Sequence, residues 1–214
     1  MSHRLFLTFL CLWISGALLA QRTVSDAKIT YKMELPPEQL QMDAMLENST
    51  LTQYMRGHLS RIDMNLNIVN YTYLMNSKDE TMTTLIDQHG NKYLIRISKE
   101  QYEKDLKQYE NIQFKEDGET KQIAGYTCRK ATATVDGKTI DVYYAPDLIP
   151  ENKLYNHRFM NLKGIALQFE IPTKTGAKIK VIATKVELFP IPASYFDVPK
   201  SGYKEVSQQE LKNM

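Results

Sequence analysis

The residues best suited to chemistry in this chain are few and scattered. Beyond His3, the histidines are His58, His89 and His157. None stands at the HxxxH or CxxC spacing that lets one element present two ligands to a metal. Cys128 lies in the run Gly125-Tyr126-Thr127-Cys128-Arg129-Lys130. Its two flanking cations would favour a thiolate, and a Cys–His pair would be a nucleophile with its base. The run has a strand pattern, however, so Cys128 reads as a buried small hydrophobe. The carboxylates Asp79-Glu80, Glu116-Asp117 and Glu119 fall in turns and read as solvated. No glycine-rich phosphate loop occurs. The residues therefore point to no catalytic group, no metal, no cofactor and no enzyme. Asn48-Ser49-Thr50 and Asn70-Tyr71-Thr72 match the N-glycosylation acceptor pattern, which matters only in a eukaryotic source.

Methionine is the more informative residue. Met33, Met42, Met45, Met55, Met64, Met75 and Met82 crowd one stretch of the chain. Methionine is flexible and polarizable, and suits deformable apolar surfaces as well as ordinary cores. The charges exclude another class of partner. Lys and Arg (27) nearly balance Asp and Glu (25) with mixed signs, which leaves no electrostatic footprint for nucleic acid.

Residues 1–20 have the parts of an export signal. His3 and Arg4 open it, an apolar run follows over residues 5–14, and Ser15, Gly16, Ala17 and Ala20 supply small residues. The run is far shorter than the ~20 residues a membrane-spanning helix needs. Cleavage is placed near Ala20-Gln21, with Ala17 as the alternative. It leaves Cys128 as the one cysteine and predicts a periplasmic or extracellular protein without an integral membrane segment. Residues 21–214 then form a single domain, since no linker or internal repeat divides them.

The elements that must position these residues are mostly strands. Apolar residues alternate at Ile29, Tyr31, Met33 and Leu35. They do so again at Ile62, Met64, Leu66 and Ile68, at Tyr93, Ile95 and Ile97, and at Ile140, Val142 and Tyr144. Ile165, Leu167, Phe169 and Ile171 form a further set, as do Ile179, Val181 and Ala183. Period-two alternation puts one face on a core and the other in water, as antiparallel sheets allow. Asp136-Gly137 and Asp117-Gly118 read as hairpin turns. Arg56-Gly57, His89-Gly90-Asn91 and Thr175-Gly176 mark further reversals. About ten strands are expected in one continuous meander.

Short helices interrupt the strands. One is expected over residues 38–47, after Pro36-Pro37. A second begins at Ser98, where Gln101 completes a capping-box spacing, and runs to about Tyr109. Ser207-Gln208-Gln209-Glu210 repeats that spacing near the C-terminus. A large sheet with one apolar face must curl, split or be covered. The expected fold is mainly β, a curved antiparallel sheet packed around two or three helices, with room for an apolar cavity between them. Met33, Met64, Leu66, Ile95, Val142, Leu167, Phe169 and Val181 are its candidate lining.

Five motifs in order resemble a family of exported Gram-negative proteins grouped with the outer-membrane lipoprotein carrier LolA. They are Ala27-Lys28-Ile29-Thr30-Tyr31, Ile123-Ala124-Gly125-Tyr126-Thr127-Cys128-Arg129-Lys130-Ala131, Asp141-Val142-Tyr143-Tyr144-Ala145-Pro146-Asp147, Leu162-Lys163-Gly164-Ile165-Ala166-Leu167, and Ser194-Tyr195-Phe196-Asp197-Val198-Pro199 with Gly202-Tyr203. The resemblance implies a half-open β-barrel under a helical lid. It implies a binding protein that holds a lipid, an acyl chain or a lipoprotein. The carrier's Arg-Pro pair has no counterpart in Ser60-Arg61-Ile62-Asp63. An envelope structural or protein-interaction module with no ligand is the alternative expectation.

Overall fold

The computed structural model describes residues 21–34, 49–135, 137–172 and 178–212. The export segment, the helix expected over 38–47, Asp136 and Thr175-Gly176 lie outside the described residues. Most of the chain is strand: β1 (Arg22–Val24), β2 (Asp26–Glu34), β3 (Thr50–Arg56), β4 (Leu59–Asn65), β5 (Asn70–Asn76), β6 (Thr81–Gln88) and β7 (Asn91–Ile97). Helix α1 (Lys99–Glu110) follows, then β8 (Lys115–Ile123), β9 (Tyr126–Val135), β10 (Lys138–Ala145), β11 (Leu148–Pro150), β12 (Ile165–Pro172), β13 (Lys178–Glu187), β14 (Lys204–Glu205) and helix α2 (Gln208–Lys212).

Twelve strands form one sheet in the order β14-β7-β6-β5-β4-β3-β2-β13-β12-β10-β9-β8, while β1 and β11 pair in parallel beside it. The sheet is mainly antiparallel and is not closed into a barrel: its order ends at β14 and at β8. The architecture is thus the mainly-β curved antiparallel sheet with few helices that periodicity predicts. The connectivity is not one continuous meander. The chain runs outward from β2 to β7, crosses on α1 to the far edge at β8, and works back to β2 through β13. We call β3–β7 the outer wing, and β2 with β8–β10, β12 and β13 the inner wing.

Local sequence explains the turns. His89 and Gly90 both have positive φ (52° and 83°), the conformation a two-residue hairpin between β6 and β7 requires. Asp117-Gly118 is not a hairpin. It falls inside β8, where the pairing register with β9 shifts between Glu116 and Thr120, so Gly118 serves a bulge on an edge strand. The reversal from β8 to β9 is made by Ala124 and Gly125, at φ 48° and 87°. Gly164 is fixed by space instead: a Cβ there would lie 2.2 Å from the Ala145 carbonyl oxygen.

The inner wing carries the main core. In antiparallel pairs, residues directly opposite share a face. Met33, Val181, Phe169, Val142 and Ala131 therefore form one row across β2, β13, β12, β10 and β9. Phe159, from the 3-10 turn His157–Phe159, sits over this row, with its ring 4.9 Å from Phe169 and 6.4 Å from Phe114. Two buried tyrosines of this core are paired: the Tyr31 hydroxyl donates to the Ala166 carbonyl at 2.9 Å, and the Ala166 N–H donates to the Tyr155 hydroxyl at 3.2 Å.

Candidate functional site

The outer wing places a second set of rows on the same, concave face. Leu51, Met64, Tyr71, Ile86 and Tyr93 lie opposite one another across β3 to β7. The next row is Gln53, Ile62, Tyr73, Thr84 and Ile95, and the third is Met55, Ser60, Met75, Met82 and Ile97. Gln53 and Ser60 are buried and secure the loop above them. The Gln53 side-chain N–H donates to Ser60 Oγ at 2.7 Å, and Ser60 Oγ donates to the Tyr155 carbonyl at 2.6 Å.

A cavity of about 500 Å³ opens between these rows and the elements over them. Its floor is Leu51, Ile62, Met64, Tyr73, Met75 and Met82, continued by Phe169 and Ile171 of β12. Its wall is polar: Asp105, Gln108 and Tyr109 from α1, and Asn156, His157 and Arg158 from the turn after β11. Helix α1 presents its side of the wall because Ser98 caps it, accepting the Gln101 N–H at 3.2 Å. Gln101 does not complete the box; its amide donates to Asp105 at 2.6 Å, one turn along. Asn161 ties the other end of α1 to the turn, donating to the carbonyls of Tyr109, Glu110 and Ile112. Asn156 shapes its own turn by accepting the Arg158 N–H at 3.3 Å.

His157 is the buried titratable group of this wall. Its ring meets the Tyr102 ring edge-on at 5.0 Å, and its Nε2 has no hydrogen-bond partner. Burial holds its pKa below the ordinary histidine value, while the nearby Asp105 carboxylate works in the opposite direction. Cys128 lies elsewhere and is wholly buried; burial pushes its thiol up to about 12, which disfavours the thiolate at neutral pH. On the opposite face, Lys130 Nζ lies 3.3, 3.4 and 3.6 Å from Asp117, Glu119 and Asp141. The Tyr143 hydroxyl donates to Glu119 and the Tyr144 hydroxyl to Glu116. Those bonds hold both glutamates below the usual carboxylate range, so neither is poised as a base. Among the described residues no group of three or more His, Cys, Asp or Glu is placed to hold a metal ion.

Of the eight residues expected to line a cavity, Met64 and Phe169 do so. Met33, Val142, Leu167 and Val181 are packed in the main core, Leu66 leans on that core, and Ile95 belongs to a small cluster beside β7. The polar wall has a partial signature in the sequence. Tyr102, Asp105 and Tyr109 are spaced three and four apart, which puts them on one helix face. His157 has no such signature, because only the fold brings it to α1.

The fold and this cavity define an open, curved antiparallel sheet that carries a half-polar, half-apolar hollow. Residues 63–153 match a family model described as "N-glycanase peptide, N-terminal domain". Structures of PNGF-II in space groups C2 and P21 share the fold, each with a TM-score of 0.52 and 16% identity. They cover 88% and 89% of this chain but 32% and 33% of their own, so the chain spans about a third of the length of PNGF-II. A crystal structure of MucB is more distantly similar, at a TM-score of 0.39 and 11% identity over 85% of this chain and 60% of that one. No curated protein matches the sequence.

These findings overturn the resemblance to the LolA group, and with it the expectation of a carrier for a lipid, acyl chain or lipoprotein. The physical reason lies in what the motifs encode. Ile123 to Ala131 is a strand end and a hairpin, Gly164 is a close backbone approach, and Asp141 to Asp147 is a strand and its turn. Such residues build a curved sheet and specify no ligand. The expectation of a non-enzymatic protein is corrected too, because the family model that matches residues 63–153 is described as the N-terminal domain of an N-glycanase peptide. Among the described residues no helix is long and apolar enough to cross a membrane.

Proposed function

We propose that this chain is a glycan-handling domain acting in an N-glycanase type of reaction, with the concave cavity as the seat for sugar units. The observation that carries this reading is the family match. Residues 63–153 include Met64, Tyr73, Met75 and Met82 of the floor and Asp105, Gln108 and Tyr109 of the wall. The chemistry of the cavity supports it. A pyranose ring has an apolar C–H face and a rim of hydroxyls. Tyr73 and the methionines suit the face, and Asp105, Gln108, Asn156 and Arg158 suit the rim. An apolar hollow with a few convergent polar groups is the usual form of a small-molecule site. Asp105 is the acid–base candidate of the cavity, being the one carboxylate among its described lining. With the export signal read in residues 1–20, the reaction would run outside the cytoplasm.

The test is direct. The full chain is titrated with free N-linked glycans by calorimetry, and incubated with an N-glycosylated protein while released glycan is followed by mass spectrometry. Binding is expected, and Tyr73→Ala should weaken it about tenfold, the loss of one good stacking contact. Neither binding nor release at millimolar glycan would overturn the reading.

A further inference from the structure

The C-terminal segment wraps the outer wing from one face to the other, and its two halves are held differently. After β13 it crosses the convex face. There Arg56 donates to the Ile191 carbonyl, the Ile191 N–H donates to Asp26 at 3.0 Å, and Arg61 donates to the Tyr195 carbonyl at 2.7 Å. Three charge-assisted bonds, with Ile191 itself 1% exposed, make this half an anchor. Val198 and Tyr203 then pack on Leu74, Leu85 and Leu94.

The second half rounds the free edge of the sheet. Strand β14 places only Lys204 and Glu205 beside Tyr93 and Leu94, and the Val206 N–H donates to the Leu94 carbonyl at 2.9 Å. Its ion pair, Arg96 with Glu205 at 3.3 Å, is more than half exposed on both sides and contributes little. The segment ends in α2, closed by a reciprocal Ser207–Glu210 capping box. Val206 is buried against Ile86 and Ile95 of the concave face, and Leu211, Tyr71 and Tyr93 pack on that same cluster.

That cluster continues the cavity floor. Tyr71 lies beside Met64 in the register, and its ring runs parallel to that of Tyr73, 6.3 Å away. Both Met64 and Tyr73 line the cavity. We infer that residues 204–212 form a releasable cap over the outer end of the cavity floor. When the cap lifts, the floor extends across Tyr71, Ile86 and Tyr93, and the site lengthens from one that takes a short sugar unit to one that takes an extended oligosaccharide. The cap stands on its own geometry; the class of ligand rests on the glycan reading above.

Two measurements on the full-length chain test it. In native-state hydrogen exchange, the Val206 amide should exchange at least ~100-fold faster than the Ile191 amide, because locally held segments open ahead of the core. Equal protection of the two amides would overturn the cap. In the second, the chain and its Val206→Asp variant are titrated with the disaccharide and the hexasaccharide of N-acetylglucosamine. The variant should bind the hexasaccharide at least ~3-fold more tightly, with the disaccharide unchanged, as expected when one competing occupant is removed. Equal changes for both sugars, or none, would overturn length selection. Leu211→Asp repeats the comparison if Val206→Asp does not fold. Failure of both sugars to bind either chain would remove the ligand class and the glycan reading together, while the exchange pattern still decides the cap.

Discussion

The inner wing buries Ile29, Ile165, Leu167 and Val181 completely, beneath one continuous apolar layer that includes Phe159 and Tyr155. On the outer wing Leu51 and Met55 of β3 join that layer, and beyond them apolar side chains form small clusters on both faces: Leu74, Leu85 and Leu94 on the convex side, Ile86 and Ile95 on the concave side. Each cluster is completed by a residue of the C-terminal segment. The difference follows from what covers each face. The inner wing turns Lys32, Lys130 and Lys180 outward and needs cover only on its concave side. The outer wing is apolar on both sides and is finished by one strap that passes around its edge. The cavity opens where these regimes meet, so most of its floor belongs to the wing with less burial to hold it rigid.

The largest expected effect tests the inner half of that contrast. Phe159 is 2% exposed and touches two other rings. Phe159→Ala should cost about 3–5 kcal/mol of global stability in urea unfolding. Leu85→Ala, in a three-residue cluster that can collapse, should show instead as faster hydrogen exchange confined to β5–β7. If Leu85→Ala lowers global stability as much as Phe159→Ala, the two wings are one cooperative unit and the contrast fails.

A smaller effect is expected at the seam. Ser60 passes a hydrogen bond from Gln53 to the Tyr155 carbonyl and so fastens the loop carrying the cavity wall to β3 and β4. Ser60→Ala leaves the Tyr155 carbonyl with only the longer Gln53 contact at 3.3 Å. The variant should be destabilised by about 1–3 kcal/mol, the usual consequence of weakening a buried polar pairing. A loss well below that range would mean that the loop is held by packing alone, as the inner wing is.

Alternation was enough to read the faces. It put Met33, Val142, Phe169 and Val181 on one side, and these four meet in a single row. Local chemistry was enough to read the start of α1 at Ser98 and the cap at Ser207. What alternation does not contain is which strands become neighbours. The β2–β13 pairing joins residues more than a hundred positions apart, the crossover on α1 carries the chain from β7 to the far edge of the sheet, and no local period encodes either. Asp117-Gly118 shows the same limit: the dipeptide supplies positive φ equally to a hairpin or to a bulge, and only the partner strand decides. The cavity wall was hidden for a related reason. His157 is unremarkable in its own turn and gains its setting only when Tyr102 and Asp105 arrive from α1.

That setting gives the smallest expected effect, and it reads the junction of the two wings by pH. Burial lowers the pKa of His157, so the folded state binds its proton more weakly than the unfolded chain does. The unfolded chain therefore takes up more protons as pH falls through the ordinary histidine range near ~6.5, and stability must fall with it. The loss levels off once pH is below the folded-state value. The carboxylates held low at Glu116 and Glu119 lose their contribution only further down, as pH falls through the carboxylate range, so the two windows separate. Urea midpoints at pH 7.5 and pH 5 should differ less for His157→Gln than for the parent chain. Asp105→Asn should steepen the parent's dependence, because Asp105 favours the charged imidazole. If His157→Gln keeps the full pH dependence between those values, the proton is taken up elsewhere, and the wall between α1 and the turn is looser than the burial of His157 implies.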